Sequence, residues 1–152
     1  MKMLSLIHLI IMTTPALVGL FLYYQTSGAQ LNFSNTEDIF LAICPVIAFG
    51  SIFLGDFLFK KTINSISPSL DLKEKLIRFQ RASIIKYGLL EGAAFLCVVF
   101  FYNTQNLAYL FVGIFLIIYL FLQRPAKDKI ERILNLQGAQ KSQFNRSSQP
   151  LD

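Results

Sequence analysis

Residues 83–102 read SIIKYGLLEGAAFLCVVFFY, twenty residues in which the only formal charges are Lys86 near the start and Glu91 near the middle. Twenty residues of α-helix rise about 30 Å, the thickness of a bilayer's hydrocarbon core, and a backbone in lipid satisfies its amides only within a helix or a closed barrel. The spacing therefore predicts a transmembrane helix. Three further apolar blocks answer to the same reading: Leu4 to Tyr24, Ile39 to Phe59 and Leu107 to Leu122. The last is short, but Asn106 and Gln123 suit the two interfaces, and slight thinning or little tilt accommodates it.

Composition agrees with this count. Of 152 residues, 54% are hydrophobic and 15% charged, against ~25% charged in an ordinary soluble domain, so the chain cannot coat a water-facing surface. A soluble enzyme with a lone anchor, a disulfide scaffold and a disordered tail protein are all excluded. The expected fold is all-α: a polytopic membrane protein with four transmembrane helices in an antiparallel bundle, one domain over residues 1–138.

Charge sets the expected orientation. All 14 lysines and arginines fall before span 1, between or at the ends of spans 2 and 3, or after span 4. The segment Gln25 to Asp38 has no cation and carries Glu37 and Asp38, while Asn103 to Asn106 is uncharged. Because cytoplasmic flanks collect Lys and Arg, both termini are expected in the cytoplasm. A signal peptide is the alternative for the N-terminus, but its apolar core runs ~7 to 15 residues and this run is 21, so an uncleaved first span is expected. Pro15 and Pro45 should kink their spans.

The tight turn at Asn103 to Asn106 makes spans 3 and 4 an antiparallel hairpin. Asn32, Phe33 and Ser34 spell a glycosylation acceptor, a tripeptide common by chance. On the basic side, Ser67, Pro68 and Ser69 mark a helix start, with Asp71 and Glu74 in its first turns, and no breaker but Gly88 and Gly92 follows before Phe101. Span 3 is thus expected to extend beyond the membrane as one helix. Its cations set topology and solvate the bundle end; lying on a bilayer or partner surface is the other use of its Leu72, Leu76, Phe79 and Ile84 stripe. After span 4, Arg124 and Pro125 stop the helix, and Lys127 to Leu136 is expected to form a short amphipathic cytoplasmic helix with a Lys127–Glu131 pair and Gly138 as its stop. Residues 139–152 are polar and expected to be disordered.

No phosphate-binding loop, HExxH, paired CxxC or G-x-S-x-G occurs, so no enzyme, cofactor or metal is expected, and the basic tail accompanies no nucleic-acid-binding fold. Ionisable groups inside spans are then the candidates, since each costs ~2.5 to 3.5 kcal/mol at a helix centre. Glu91 is the sharpest. At ~1.5 Å per residue it lies about 16 Å inside Tyr102, near the midplane, between Gly88 and Gly92, a spacing that admits another helix closely. Tyr119 falls at a similar depth as a hydrogen-bond donor. Glu91 as a hydrogen-bonded contact between helices is favoured over Glu91 as a proton or cation carrier. Asp56, one turn from Lys60, is expected to pair with it at the interface, and Lys86 to snorkel. His8 is expected near the headgroups; gathered with Asp56 and Glu91 it would line an inner polar cavity. Cys44 and Cys97 share a depth, five residues inside the outer boundary, and can meet if spans 2 and 3 touch.

The four-span pattern with one mid-membrane carboxylate invites comparison with the duplicated proteolipid subunit of rotary ATPases, from which this chain departs in having only 8 glycines, many Phe, and its carboxylate in the third span. From the span pattern to the Arg124-Pro125 exit it resembles in type the small four-span inner-membrane proteins of bacteria, a likeness that transfers no catalytic motif. It implies a bacterial inner-membrane location, a lipid bilayer as surroundings, and a membrane-protein partner or a homo-oligomer.

Overall fold

The computed structural model describes residues 2–34 and 37–147, and among these it is helical with no β-strand. The six helices are α1 (Lys2–Gln25), α2 (Phe40–Asn64), α3 (Leu72–Thr104), α4 (Leu107–Leu122), α5 (Lys127–Ile133) and α6 (Gly138–Ser147). Helices α1, α2 and α3 are each long and apolar enough to cross a membrane, and α4 with α5, bent by 76° at Pro125, makes up to a fourth. Pro15 and Pro45 lie inside continuous helices. The outer surface is apolar, with Phe53 82% exposed and Val46 70%. Contiguous apolar area of this kind belongs in hydrocarbon or against a partner.

Helix α3 organises the bundle. It packs against α1, α2 and α4, whereas α1 and α2 form no packed interface with each other. Its buried face is built from small residues, Ala82, Ala93, Ala94 and Cys97, interleaved with Phe79, Leu90 and Phe101. Glycines on the partner helices complete the close approach. A Cβ at Gly55 of α2 would meet the Lys86 side chain at 3.3 Å, and one at Gly113 of α4 would meet Cys97 at 3.6 Å. Such contacts bring backbones near enough for dispersion to replace the hydrophobic effect that lipid does not supply.

The expectation of one long third helix holds over Leu72–Thr104. The Asp71 side chain accepts from Lys73 N at 3.3 Å and satisfies one of the first-turn amides. At the far end Gln105 adopts a left-handed φ of 55° and closes onto Phe101 O, and Asn106 then caps α4 through Ala108 N at 3.0 Å. Asn106 also holds the first loop, donating to Asn32 O at 2.7 Å and accepting from Asn32 N. Asp38 is tied into α4 by Tyr109, whose hydroxyl donates to it at 2.6 Å.

The segment after α4 departs from expectation. Glu131 pairs with Lys141 at 3.3 Å rather than with Lys127, joining α5 to α6. Asn135, at φ 47°, closes the end of α5, and Gly138 begins α6 instead of ending α5. Where disorder was expected from residue 139, Gly138–Ser147 is helical, because Phe144 inserts fully buried into the apolar cluster containing Ile130, Leu134 and Leu136. Residues 148–152 of that stretch lie outside the described residues.

Candidate functional site

The last carbonyls of an α-helix have no partner within it. At the basic end of the bundle, the Leu120 carbonyl of α4 and that of its C-cap residue Gln123 receive side chains from the neighbouring helices. His8 of α1 lies with Nε2 2.8 Å from Leu120 O, and since a carbonyl only accepts, Nε2 carries the proton. Tyr87 of α3 donates its hydroxyl to Gln123 O at 3.0 Å and meets the His8 ring edge-on with centroids 4.7 Å apart. Lys129 of α5 donates to Gln123 Oε1 at 3.2 Å. Burial and then the nearby Lys86 charge pull the Lys129 ammonium below the ordinary lysine value, with Asp56 offsetting part of this.

Beside this lies an ion pair between α2 and α3. Lys86 Nζ is 2.5 Å from Asp56 Oδ1, and the second carboxylate oxygen accepts from Tyr119 of α4 at 3.0 Å. The ammonium also sits 5.4 Å from the centroid of Phe59 and 5.9 Å from that of Tyr119, within cation–π range. Five helices thus meet in one polar girdle. Gly55 makes it possible, because any side chain there would crowd the Lys86 stem.

Several expectations are corrected here. Asp56 pairs with Lys86 rather than Lys60; Lys86 is buried rather than snorkelling; Tyr119 serves Asp56 and not Glu91. His8 and Asp56 both enter the girdle, but each is held by its own partner, and Glu91 does not join them. Local spacing had favoured Lys60 because it sees one helix at a time. The signal that was missed is depth: Asp56 stands three residues inside Phe59 and Lys86 three inside Ser83, opposite charges level with each other on antiparallel neighbours.

Glu91 belongs to a separate face. Helix α3 exposes a stripe of Ile85, Gly88, Gly92, Leu96 and Val99, on the side that α1, α2 and α4 leave uncovered. A Cβ at Gly88 or Gly92 would meet nothing within 4 Å among the described residues, so the close approach that their spacing admits is not taken up by a helix of this bundle. Glu91 lies at the margin of the stripe, half-buried, and among the described residues no hydrogen bond or ion pair reaches it.

Toward the other end, Cys44 Sγ and Cys97 Sγ are 3.0 Å apart, both free thiols and buried between α2 and α3. Shared depth made this contact possible, and the packing of α2 on α3 supplies the condition it needed. Molecular iodine, small enough to permeate the bundle, is expected to convert the two thiols to one disulfide with loss of two iodides and two protons. Denatured protein should then show both thiols unreactive to maleimide until reduced; retention of two reactive thiols would mean that α2 and α3 do not meet there. Among the described residues, no three His, Cys, Asp or Glu side chains gather as metal ligands would. Comparison with protein-family models, curated proteins and solved structures finds no match.

Proposed function

We propose that this chain is a four-span integral protein of the bacterial inner membrane, with both termini cytoplasmic, that acts without catalysis as an accessory, assembly or scaffold subunit. Its docking surface is the α3 stripe of Gly88, Gly92 and Glu91, onto which a helix of another membrane protein packs. The observation that carries this reading is Glu91, a carboxyl at mid-span with no hydrogen bond or ion pair among the described residues, beside two glycines where an added Cβ would meet open space. A polar group at that depth is costly unless satisfied, and a partner helix supplies both the close contact and the hydrogen bond. The orientation rests on the cation distribution, with Lys60, Lys61, Arg78, Arg81, Arg124 and Lys127 all at the basic end.

Purification from native membranes in mild detergent is expected to bring down a membrane protein in stoichiometric amount with the wild type and with Glu91→Gln, whose amide keeps a donor and an acceptor. Glu91→Leu should lose it. Recovery of the chain alone in every case would refute the proposal. The isolation of Glu91 equally suits a titrating carrier, the second reading. Proton or cation flux in proteoliposomes that is abolished by Glu91→Gln would establish that role, and equal flux with both proteins would remove it.

A further inference from the structure

Two lysines are buried among the described residues, and the fold treats them differently. Lys86, 6% exposed, has the Asp56 carboxylate, a tyrosine hydroxyl bonded to that carboxylate and two aromatic rings around it. Lys75, 4% exposed, has none of these. Its Nζ donates to the neutral Gln140 Oε1 at 2.9 Å, and among the described residues it lies in no ion pair. A lysine ammonium carries three donors and a full charge, so one amide oxygen leaves it short of both acceptors and counter-charge.

Lys75 and Gln140 border a pocket of about 320 Å³ where the α2–α3 connection faces the chain between α5 and α6. One wall is apolar, from Ile63, Ile66 and Ile133; Ser67 and Asn135 add polar groups. Among the described residues no Asp or Glu lines it, and Lys75 is the one charged side chain that does. Gln140 is fixed from behind, its Nε2 donating to Leu70 O at 3.0 Å, which turns its oxygen toward the lysine.

We infer that this pocket binds a small oxyanion, a carboxylate or phosphate monoester carrying a short apolar body, with Lys75 as its charge partner. The anion completes the Lys75 shell, and the body lies on the isoleucine wall. The site is formed from α2, α3, α5, α6 and their connections, apart from the α3 stripe, so it stands or falls independently of the docking role.

Sodium hexanoate and hexyl phosphate are the probes, added to the full chain in detergent with ionic strength held constant by chloride. Each is expected to raise the thermal midpoint of the wild type by about 3 °C at ten times its Kd. Lys75→Met, which keeps the apolar stem, should lose the rise without lowering the midpoint of the unliganded protein. Gln140→Glu places a carboxylate of the chain where the ligand's charge would act, so it should raise the unliganded midpoint and abolish the response. Lys75→Arg, which keeps the charge, should retain a rise and shows that the pocket is intact. The inference is overturned if neither probe shifts the wild type, or if Lys75→Met or Gln140→Glu responds as the wild type does.

Discussion

Replacing Asp56 with Ala is expected to destabilise the bundle by about 3 kcal/mol, the low end of the range for breaking a buried ion pair. The low end applies because the Asp56 side chain is still 34% exposed, while Lys86, at 8%, would be left charged with no counter-ion. Tyr119 loses its acceptor in the same step. The loss should be much smaller in the double variant Asp56→Asn, Lys86→Met, which removes both charges and keeps side chains of similar volume; buried pairs exchanged whole are often neutral. Chemical denaturation followed by helical circular dichroism reads both. Equal losses in the single and double variants would show that the pair is not coupled and that the girdle derives its strength from packing alone.

The second large effect concerns association and leaves the isolated chain untouched. Gly92→Leu places a side chain where a Cβ meets nothing, so the isolated protein should unfold within about 0.5 kcal/mol of the wild type, as is usual for surface changes. A partner helix packed on the glycine would be driven off by the added volume. A photo-crosslinking residue at Leu96, on the same exposed stripe, is expected to give one discrete adduct in native membranes, and Gly92→Leu should reduce it at least tenfold. An unchanged adduct would place the partner elsewhere, and a large drop in intrinsic stability would mean that the face is not open.

Spans were legible because a run of about twenty apolar residues has one economical structure in lipid, and the length of α3 because Asp71 caps its start and nothing stops it before Gln105. Depth was legible too: Cys44 and Cys97 were level, although which helices touch, and so whether the two would meet, was not. Azimuth was not. Tyr119 and Glu91 lie at similar depth, yet rotation about the helix axes turns the tyrosine to Asp56 and the glutamate outward, and no hydropathy pattern reports that angle. Glycines divide the same way: spacing picked out Gly88 and Gly92, which lie on the open face, whereas the close contacts inside the bundle, at Gly55 and Gly113, carry no spacing signal. Helix α6 was illegible because its one large buried apolar side chain, Phe144, sits in an otherwise polar stretch whose other ties, from Gln140 and Lys141, are polar.

The absence of a packed interface between α1 and α2 bears on how the protein is made. When the first two spans have left the ribosome they have no mate in one another, and each waits in the bilayer as a separate helix. Only α3, which follows α2 after a short connection, gives both a surface to join, and α4 then receives His8 from the helix synthesised first. Truncation after α2 should therefore yield two inserted but unassembled helices, open to membrane proteases. The chain gains its tertiary structure late and nearly at once, with its third helix as the nucleus.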